Sequence, residues 1–499
     1  MSNPAGREQA VAALDVGSSA VKGVVLSRSG EVLAEHQVAL VTQRPAPSQV
    51  EQDPQAWWQA CREVVRAWQD SGVQLGALCA LSLSGQMQDL VLTRRGTQTG
   101  PAILYSDTRA ELEADELTAL LGADPAQVTG NPHGGASILP KLLWLKRHRP
   151  QVLLERPRLH IGAKDVVIER LCGAHVTDHT AAATTGLYHL ESSSWMAAWL
   201  PQLGLDLQLP ALCWPTALAG RVHAAAAAEL GLPLNLPVLT GIGDAGATAL
   251  GAGQAQLGER HVYLGTSGFI GVVTRPEAAR PGVFRLPLLS ASAVLAVAPL
   301  TNAGSVWRWA AQVFAGGDDA ALEDLVGRAA PARLLCLPYL AGERSPVDDP
   351  QARGVYLGIG SETGPGDLAR AALEGVAYAL RATAEPLRAT ARPGGGEALT
   401  LLGGGSRSPV WCQIVADVLG TDVLVPQQAS LLPVLGSAYP AFASLGWSDS
   451  LAAYRQQVLG RQPARRFHVD AARRDLYTAE FGRFQQLYPV TRPLFHRTL

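Results

Sequence analysis

Neither sign of charge dominates this 499-residue chain: 41 Lys and Arg face 43 Asp and Glu, for a net charge of -2. The electrostatic footprint of a nucleic-acid or anionic-membrane partner is therefore missing, and small molecules are the expected partners. Cysteine is sparse and unpaired in pattern. The six (Cys61, Cys79, Cys172, Cys213, Cys336, Cys412) include no C-x-x-C, and only Cys172 has histidines close by, His175 and His179, with no second Cys to complete a zinc set. They read as core residues of a reducing compartment. The longest mainly apolar stretch, Leu286 to Leu300, is too short and too interrupted by proline to span a bilayer, and the polar Met1 to Gln9 has no apolar core of a leader, so a cytoplasmic protein is expected. There is no Walker motif, and neither Gly251-Ala252-Gly253 nor Gly403-Gly404-Gly405-Ser406 has G-x-G-x-x-G spacing, which disfavours P-loop and nicotinamide-dependent enzymes.

What the chain does contain is a pattern used twice. From Val11 to Val25 an apolar run reaches Asp15, turns through Gly17-Ser18-Ser19 and continues as Ala20-Val21-Lys22-Gly23-Val24-Val25. Just past the middle it returns as Gly265-Thr266-Ser267-Gly268-Phe269-Ile270-Gly271-Val272-Val273. Each copy reads as two β-rich runs joined by a Gly and hydroxyl turn, a hairpin. Such turns also occur in proteins that bind nothing, but they offer N–H groups and hydroxyls to an anion, and two together suit a polyphosphate. Where the first copy has Asp15 the second has Tyr263, so only one half can offer a carboxylate to a phosphate-bound Mg²⁺. The pattern predicts one nucleotide site shared by unequal halves. Length calls for two large domains; the repeat puts them at 1–243 and 244–499, with C-terminal helices packing back on the first.

Polar residues gather at predicted strand ends, where ligands of open α/β sheets sit. Asp53-Pro54 reads as the cap of a helix over Gln55 to Gln69. Leu75 to Leu83 reads as a buried strand ending in Ser84-Gly85-Gln86-Met87-Gln88-Asp89, where Gln86 and Gln88 either bond hydroxyls or cap a sheet. A short strand leads to Tyr105-Ser106-Asp107-Thr108-Arg109, with Asp107 and Arg109 read as a surface pair. Residues 181–236 read as packing. Pro237 to Asp244 is a strand delivering one carboxylate; a lone Asp there is commonly a helix cap, but its place before the second hairpin favours a chemical role. Leu399 to Leu402 runs into Gly403-Gly404-Gly405-Ser406 and a helix, the usual approach of backbone to a nucleotide.

Several stretches together resemble the carbohydrate kinases named for their FGGY signature, and among them the xylulokinases. These are Leu14-Asp15-Val16-Gly17-Ser18-Ser19, Gln52-Asp53-Pro54, Gly85-Gln86-Met87, Lys141 with Trp144, Gly243-Asp244 and Leu264-Gly265-Thr266-Ser267-Gly268. Pro338 to Pro346 and Gly354 to Ile359 resemble the family in the second half. The resemblance implies an α/β protein of two ribonuclease-H-like, actin-like ATPase domains about a central cleft, with sugar deep in it and MgATP across it. It implies transfer of the γ-phosphate of ATP to a terminal hydroxyl of a ketopentose, D-xylulose first, another ketose or polyol second, with a homodimer as the assembly to test. Carried over, Asp244 is the catalytic base and touches sugar; Asp15 is the carboxylate near Mg²⁺. Ser18, Ser19, Lys22, Gly265 and Thr266 are the phosphate loops; Gly404, Gly405 and Ser406 meet adenosine; Met87, Gln88 and Tyr105 are sugar-pocket positions. Gln88, Ala245 and Tyr105-Ser106 stand where xylulokinases typically carry His, Asn and Trp-Asn, which loosens the sugar assignment more than the reaction.

Overall fold

A computed structural model describes residues 8–496 apart from 95, 255, 278–281, 332–333, 389–397 and 462. The chain forms two compact units, Met1–Ala255 with Phe284–Leu295 and Leu431–Arg461, and Gln256–Val283 with Ala296–Ser430 and Gln462–Leu499. The seam thus falls later than 243/244, and Asp244 with the helix it opens belongs to the first unit. Of the C-terminal helices, Leu432–Ser444 and Leu451–Gln457 belong to the first unit and Arg474–Phe495 to the second. Among the described residues no helix is long and apolar enough to cross a membrane.

In the first unit the opening repeat is an antiparallel hairpin of Ala10–Val16 and Ala20–Ser27, with Asp15 opposite Lys22. Val32–Ala39 adds antiparallel to its outer strand, while Leu78–Gly85 runs parallel to Ala10–Val16 and is followed by Pro237–Leu239. The helix Pro54–Asp70, capped by Asp53 Oδ1 on the Gln55 N–H at 2.9 Å, buries Trp57, Trp58, Val64 and Trp68. Gly23 is what lets it lie on the hairpin: a Cβ there would stand 2.4 Å from Val64 and 2.5 Å from Trp68. Truncating such a buried indole typically costs about 3–5 kcal/mol. On the other side Leu432–Ser444 packs against Ala10–Val16, Leu78–Gly85 and the helix Asp244–Gly251. A second sheet orders Arg158–Gly162, Met87–Arg94, Ala102–Ile103, Gln49–Gln52 and Gln43–Ala46.

The second unit repeats the plan. Arg260–Leu264 and Gly268–Thr274 form the hairpin, Val294–Leu300 lies beyond it, and Leu399–Leu402 and then Val423–Pro426 extend the sheet in parallel on the other side. With the outer strands Leu218–Arg221, Phe284–Pro287 and Ala464–Phe467 set aside, the strand order third, second, first, fourth, fifth is common to both sheets, as two ribonuclease-H-like domains require. The turns differ by a residue: 17–20 joins Val16 to Val21, whereas 265–267 joins Leu264 to Gly268. Ala464–Phe467, an edge strand in a stretch expected to be helical, closes the sheet by pairing antiparallel with Val423–Pro426. The helix Pro365–Arg388 covers one face.

Candidate active site

Three strands of the first unit end together, because Asp15 pairs with Ser84 in register while Ile242 pairs with Ser84 and Gly243 with Gly85. Asp15 and Asp244 are thereby delivered to one place. The Ser84 hydroxyl donates to Asp15 Oδ1 at 2.8 Å. Burial raises the Asp15 carboxyl, against the opposing pull of Ser84 and Lys22. Asp244 keeps a partly accessible surface and begins the helix Asp244–Gly251, its Oδ1 accepting the Ala245 N–H at 2.7 Å. Burial first, and then the negative charge of Asp15, push its carboxyl up to about 7. A carboxylate tuned to that range is matched to proton transfer at neutral pH.

Behind these acids lies a buried ionic group that the sequence reading passed over. Lys164 Nζ lies 2.6 Å from Asp165 Oδ1 and 2.9 Å from Asp178 Oδ1, and all three side chains are sealed from solvent. Burial pulls on the lysine, but the two carboxylates outweigh it and hold its proton. Asp178 Oδ2 accepts N–H groups from Thr180, Ala181 and Gly243, fixing the peptide just before Asp244. Asp107 and Arg109, expected at the surface, are instead a buried bidentate pair at 2.6 and 2.8 Å that also engages Glu51 and the Val50 N–H. Their burial follows from Trp144, whose ring lies 4.9 Å under the guanidinium.

Met87, Gln88 and Tyr105, the positions expected to face sugar, sit on two segments held to each other. Met87 packs against the glycine preceding Asp244: a Cβ on Gly243 would lie 2.1 Å from its sulfur. Gln88 has φ +62°, a conformation rare outside glycine, and its amide side chain has no partner among the described residues. Lys141 Nζ, fully buried, donates to Leu104 O at 2.7 Å and Gln88 O at 3.3 Å, while Asp89 Oδ1 accepts the N–H of Tyr105 at 3.0 Å. Tyr105 itself is exposed. Gln86 is buried; its Nε2 donates to Gln52 Oε1 at 2.9 Å while its own Oε1 has no hydrogen-bond partner among the described residues, and Gln52 Nε2 in turn donates to Ser18 O at 2.7 Å. This amide relay ties the segment around Gln86 to the first hairpin turn and leaves the Ser18 and Ser19 hydroxyls without a protein partner among the described residues.

In the second unit a pocket of about 580 Å³ is lined by Gly265, Thr266, Trp307, Gly404, Gly405 and Trp411, among others. The Gly304 N–H donates to Gly265 O at 2.7 Å, and a Cβ on Gly304 would come within 2.4 Å of that oxygen, so the turn and the helix Gly304–Phe314 meet through bare backbone. Gly405 is similarly wedged, 2.8 Å from Leu264 and Trp411 if given a Cβ. Trp307 stacks on the buried Trp411 with centroids 5.7 Å apart and anchors its indole N–H on Asp319. Ser406 does not line this pocket; its hydroxyl donates to Gly403 O at 2.7 Å and shapes the turn. Trp307 and Glu323, the latter accepting from Ser408 and the Val410 N–H, were not legible, being far in sequence from the glycine run.

Comparison with known proteins agrees with this arrangement. Residues 10–251 match the N-terminal domain of the FGGY family of carbohydrate kinases and residues 261–445 its C-terminal domain. The chain is 32% identical to the xylulose kinase of Escherichia coli K12 over 494 residues, covering 96% of this chain and 99% of the relative. A xylulose kinase from Rhodospirillum rubrum superposes with a TM-score of 0.88 at 27% identity, covering 98% and 100% of the two chains. A gluconate kinase from Lactobacillus acidophilus superposes with a TM-score of 0.87 at 25% identity, covering 97% and 98%. With both family domains matched in order and the repeated ribonuclease-H-like sheet present in each unit, the chain belongs to the FGGY family of carbohydrate kinases.

Proposed function

We propose that this carbohydrate kinase transfers the γ-phosphoryl group of ATP to the terminal hydroxyl of a ketopentose, D-xylulose, forming D-xylulose 5-phosphate and ADP. The observation that carries the reading is Asp244, set at a strand end beside Asp15 with its carboxyl pushed up to about 7. Phosphoryl transfer passes through a loose transition state, so the protein has to place the acceptor oxygen, balance charge on the phosphoryl oxygens and take one proton. Asp244 takes the proton of the hydroxyl as its oxygen bonds to phosphorus and the bond to the ADP oxygen breaks. Met87, Gln88 and Tyr105 bind the sugar; the unpartnered hydroxyls of Ser18 and Ser19, with Lys22, Gly265 and Thr266, receive phosphates. Gly404 and Gly405 admit adenosine, and Ser406 supports them. Asp15 suits Mg²⁺, because Ser84 occupies only one of its oxygens and the ion needs few protein ligands. Bound there with ATP, Mg²⁺ would neutralise phosphate charge. Such a kinase works on ATP and a small sugar, and the cytoplasm is the compartment we assign.

Gln88, with its free amide and left-handed backbone, supports a second reading in which another ketose or a polyol is the acceptor. ADP release with MgATP across ketopentoses, polyols and a sugar-free blank tests both. Stimulation by D-xylulose above all others upholds the first reading, stimulation by another neutral sugar the second, and equal release without sugar rejects both in favour of a partner-coupled ATPase.

A further inference from the structure

The stretch Pro338 to Pro346, to which the proposed chemistry gives no task, carries a buried carboxylate, that of Glu343. Its hydrogen-bond partners among the described residues are four N–H groups rather than a cation. Oε1 accepts the backbone N–H groups of Thr301 and, at 2.9 Å, Arg344; Oε2 accepts the Asn302 N–H at 3.3 Å and Asn302 Nδ2 at 3.0 Å. Asn302 Nδ2 also donates to Gly342 O at 2.6 Å, and the Ser345 N–H donates to Pro299 O at 3.1 Å, so the two segments close on each other. A carboxylate taken out of water is costly unless N–H donors replace its hydration, and once they do it fixes them firmly.

Directly after Asn302 the chain meets the second hairpin turn. The Gly304 N–H donates to Gly265 O at 2.7 Å and the Ser305 N–H to Thr266 O at 2.9 Å. In a trans peptide the C=O and N–H point opposite ways. Fixing the Gly265 and Thr266 carbonyls on the helix start therefore aims the N–H groups of Thr266 and Ser267 away from it. Those two N–H groups and the two hydroxyls have no protein partner among the described residues, and successive N–H groups of this kind are what a turn offers an anion. Resting on the carbohydrate-kinase reading, we infer that Glu343 is a positioning residue for phosphate binding. By clasping Thr301 and Asn302 it sets the Gly304 and Ser305 N–H groups, and through them the direction in which the Gly265-Thr266-Ser267 turn presents its donors to the phosphates of ATP. Glu343 does not itself line the nucleotide pocket.

The test is Glu343→Gln, which keeps the length of the side chain but offers one oxygen to donors that now meet two, so part of the clasp faces an amide NH₂. Adenosine and the non-hydrolysable β,γ-imido analogue of MgATP are titrated calorimetrically into the unaltered and altered chains. Affinity for the analogue should fall about tenfold, and that for adenosine, which has no phosphate, should stay within about twofold. In turnover the KM for ATP should rise by a similar factor with that for sugar unchanged. General loosening of the unit would weaken adenosine and analogue together. Asn302→Ala is the milder variant: it leaves the carboxylate its three backbone donors and should cost about threefold on the analogue alone. Unchanged analogue affinity in variants with intact circular dichroism overturns the inference, as does an equal loss for adenosine. If no acceptor sugar stimulates ADP release, the carbohydrate-kinase reading fails, while these titrations still decide the role of Glu343 without turnover.

Discussion

At the scale of single residues the proposed chemistry turns on Asp244. Asp244→Asn keeps the side-chain oxygen that accepts the Ala245 N–H but cannot take a proton. We expect kcat to fall by roughly 10³-fold with the affinity for ATP, read by equilibrium titration, within about threefold of the parent. Its pH dependence follows from the direction of the shift. The base works only when ionised, so log kcat/KM for the sugar rises with pH and levels off above the carboxyl's value of about 7. Stability runs the other way. A carboxyl whose folded value lies above its unfolded one binds its proton more tightly when folded, so stability is lost as pH climbs from about 4 through about 7. Asp244→Asn removes that loss. At pH 8 its Tm should exceed the parent's by a few degrees, and at pH 4 the two should coincide; a variant less stable at both values would show that Asp244 is a structural ion rather than a strained base.

At the scale of elements, the helix Asp244–Gly251 is placed by one close crossing. A Cβ on Gly251 would lie 1.9 Å from Leu432 O, and one on Gly436 the same distance from Ala247 O. The helices therefore touch backbone to backbone, and nothing flexible is there to yield. Gly436→Ala should cost about 3 kcal/mol or more, measured by denaturant melting, and should lower kcat disproportionately because the displaced helix carries Asp244 at its first residue. Gly304→Ala is the counterpart in the second unit: crowding Gly265 O should raise the KM for ATP severalfold with little change in that for sugar. Elements of this kind were the readable part of the chain. Both hairpins, the strand Leu399–Leu402 and the cap of Pro54–Asp70 announce themselves by local chemistry, an alternating run, a glycine turn, an Asp-Pro pair. The buried pairs Asp107–Arg109 and Lys164–Asp178 did not, because a charge reads as surface until its partner and its cover, here Trp144 or a strand end, are brought from elsewhere in the chain.

At the scale of the whole molecule, the repeat correctly announced two units of one plan, but it could not announce that the first is discontinuous. Sequence similarity marks where a domain begins; it says nothing about a helix that leaves the second unit to complete the first. Leu432–Ser444 is that helix. It lies against Ala10–Val16, Leu78–Gly85 and Asp244–Gly251, and buries Val434, Leu435, Ala438, Ala441 and Phe442. Tyr454, fully buried on the following helix, bonds its hydroxyl to Leu435 O at 2.5 Å, and Gln457 reaches Arg28 O at 2.6 Å. A fragment ending at residue 255 would therefore uncover the side of Ala10–Val16 and Leu78–Gly85 on which Leu432–Ser444 lies, beside the helix that Asp244 begins. Burial of that many apolar side chains is worth far more than the few kcal/mol by which a domain is stable. The fragment 1–255 should show no cooperative thermal transition and should bind hydrophobic dye, whereas one in which residues 284–295 and 431–461 follow 255 through flexible linkers should melt cooperatively. A sharp transition from 1–255 alone would mean that the first unit closes its core without the returning helices, and that the helix crossing at Gly251 and Gly436 is an accessory contact.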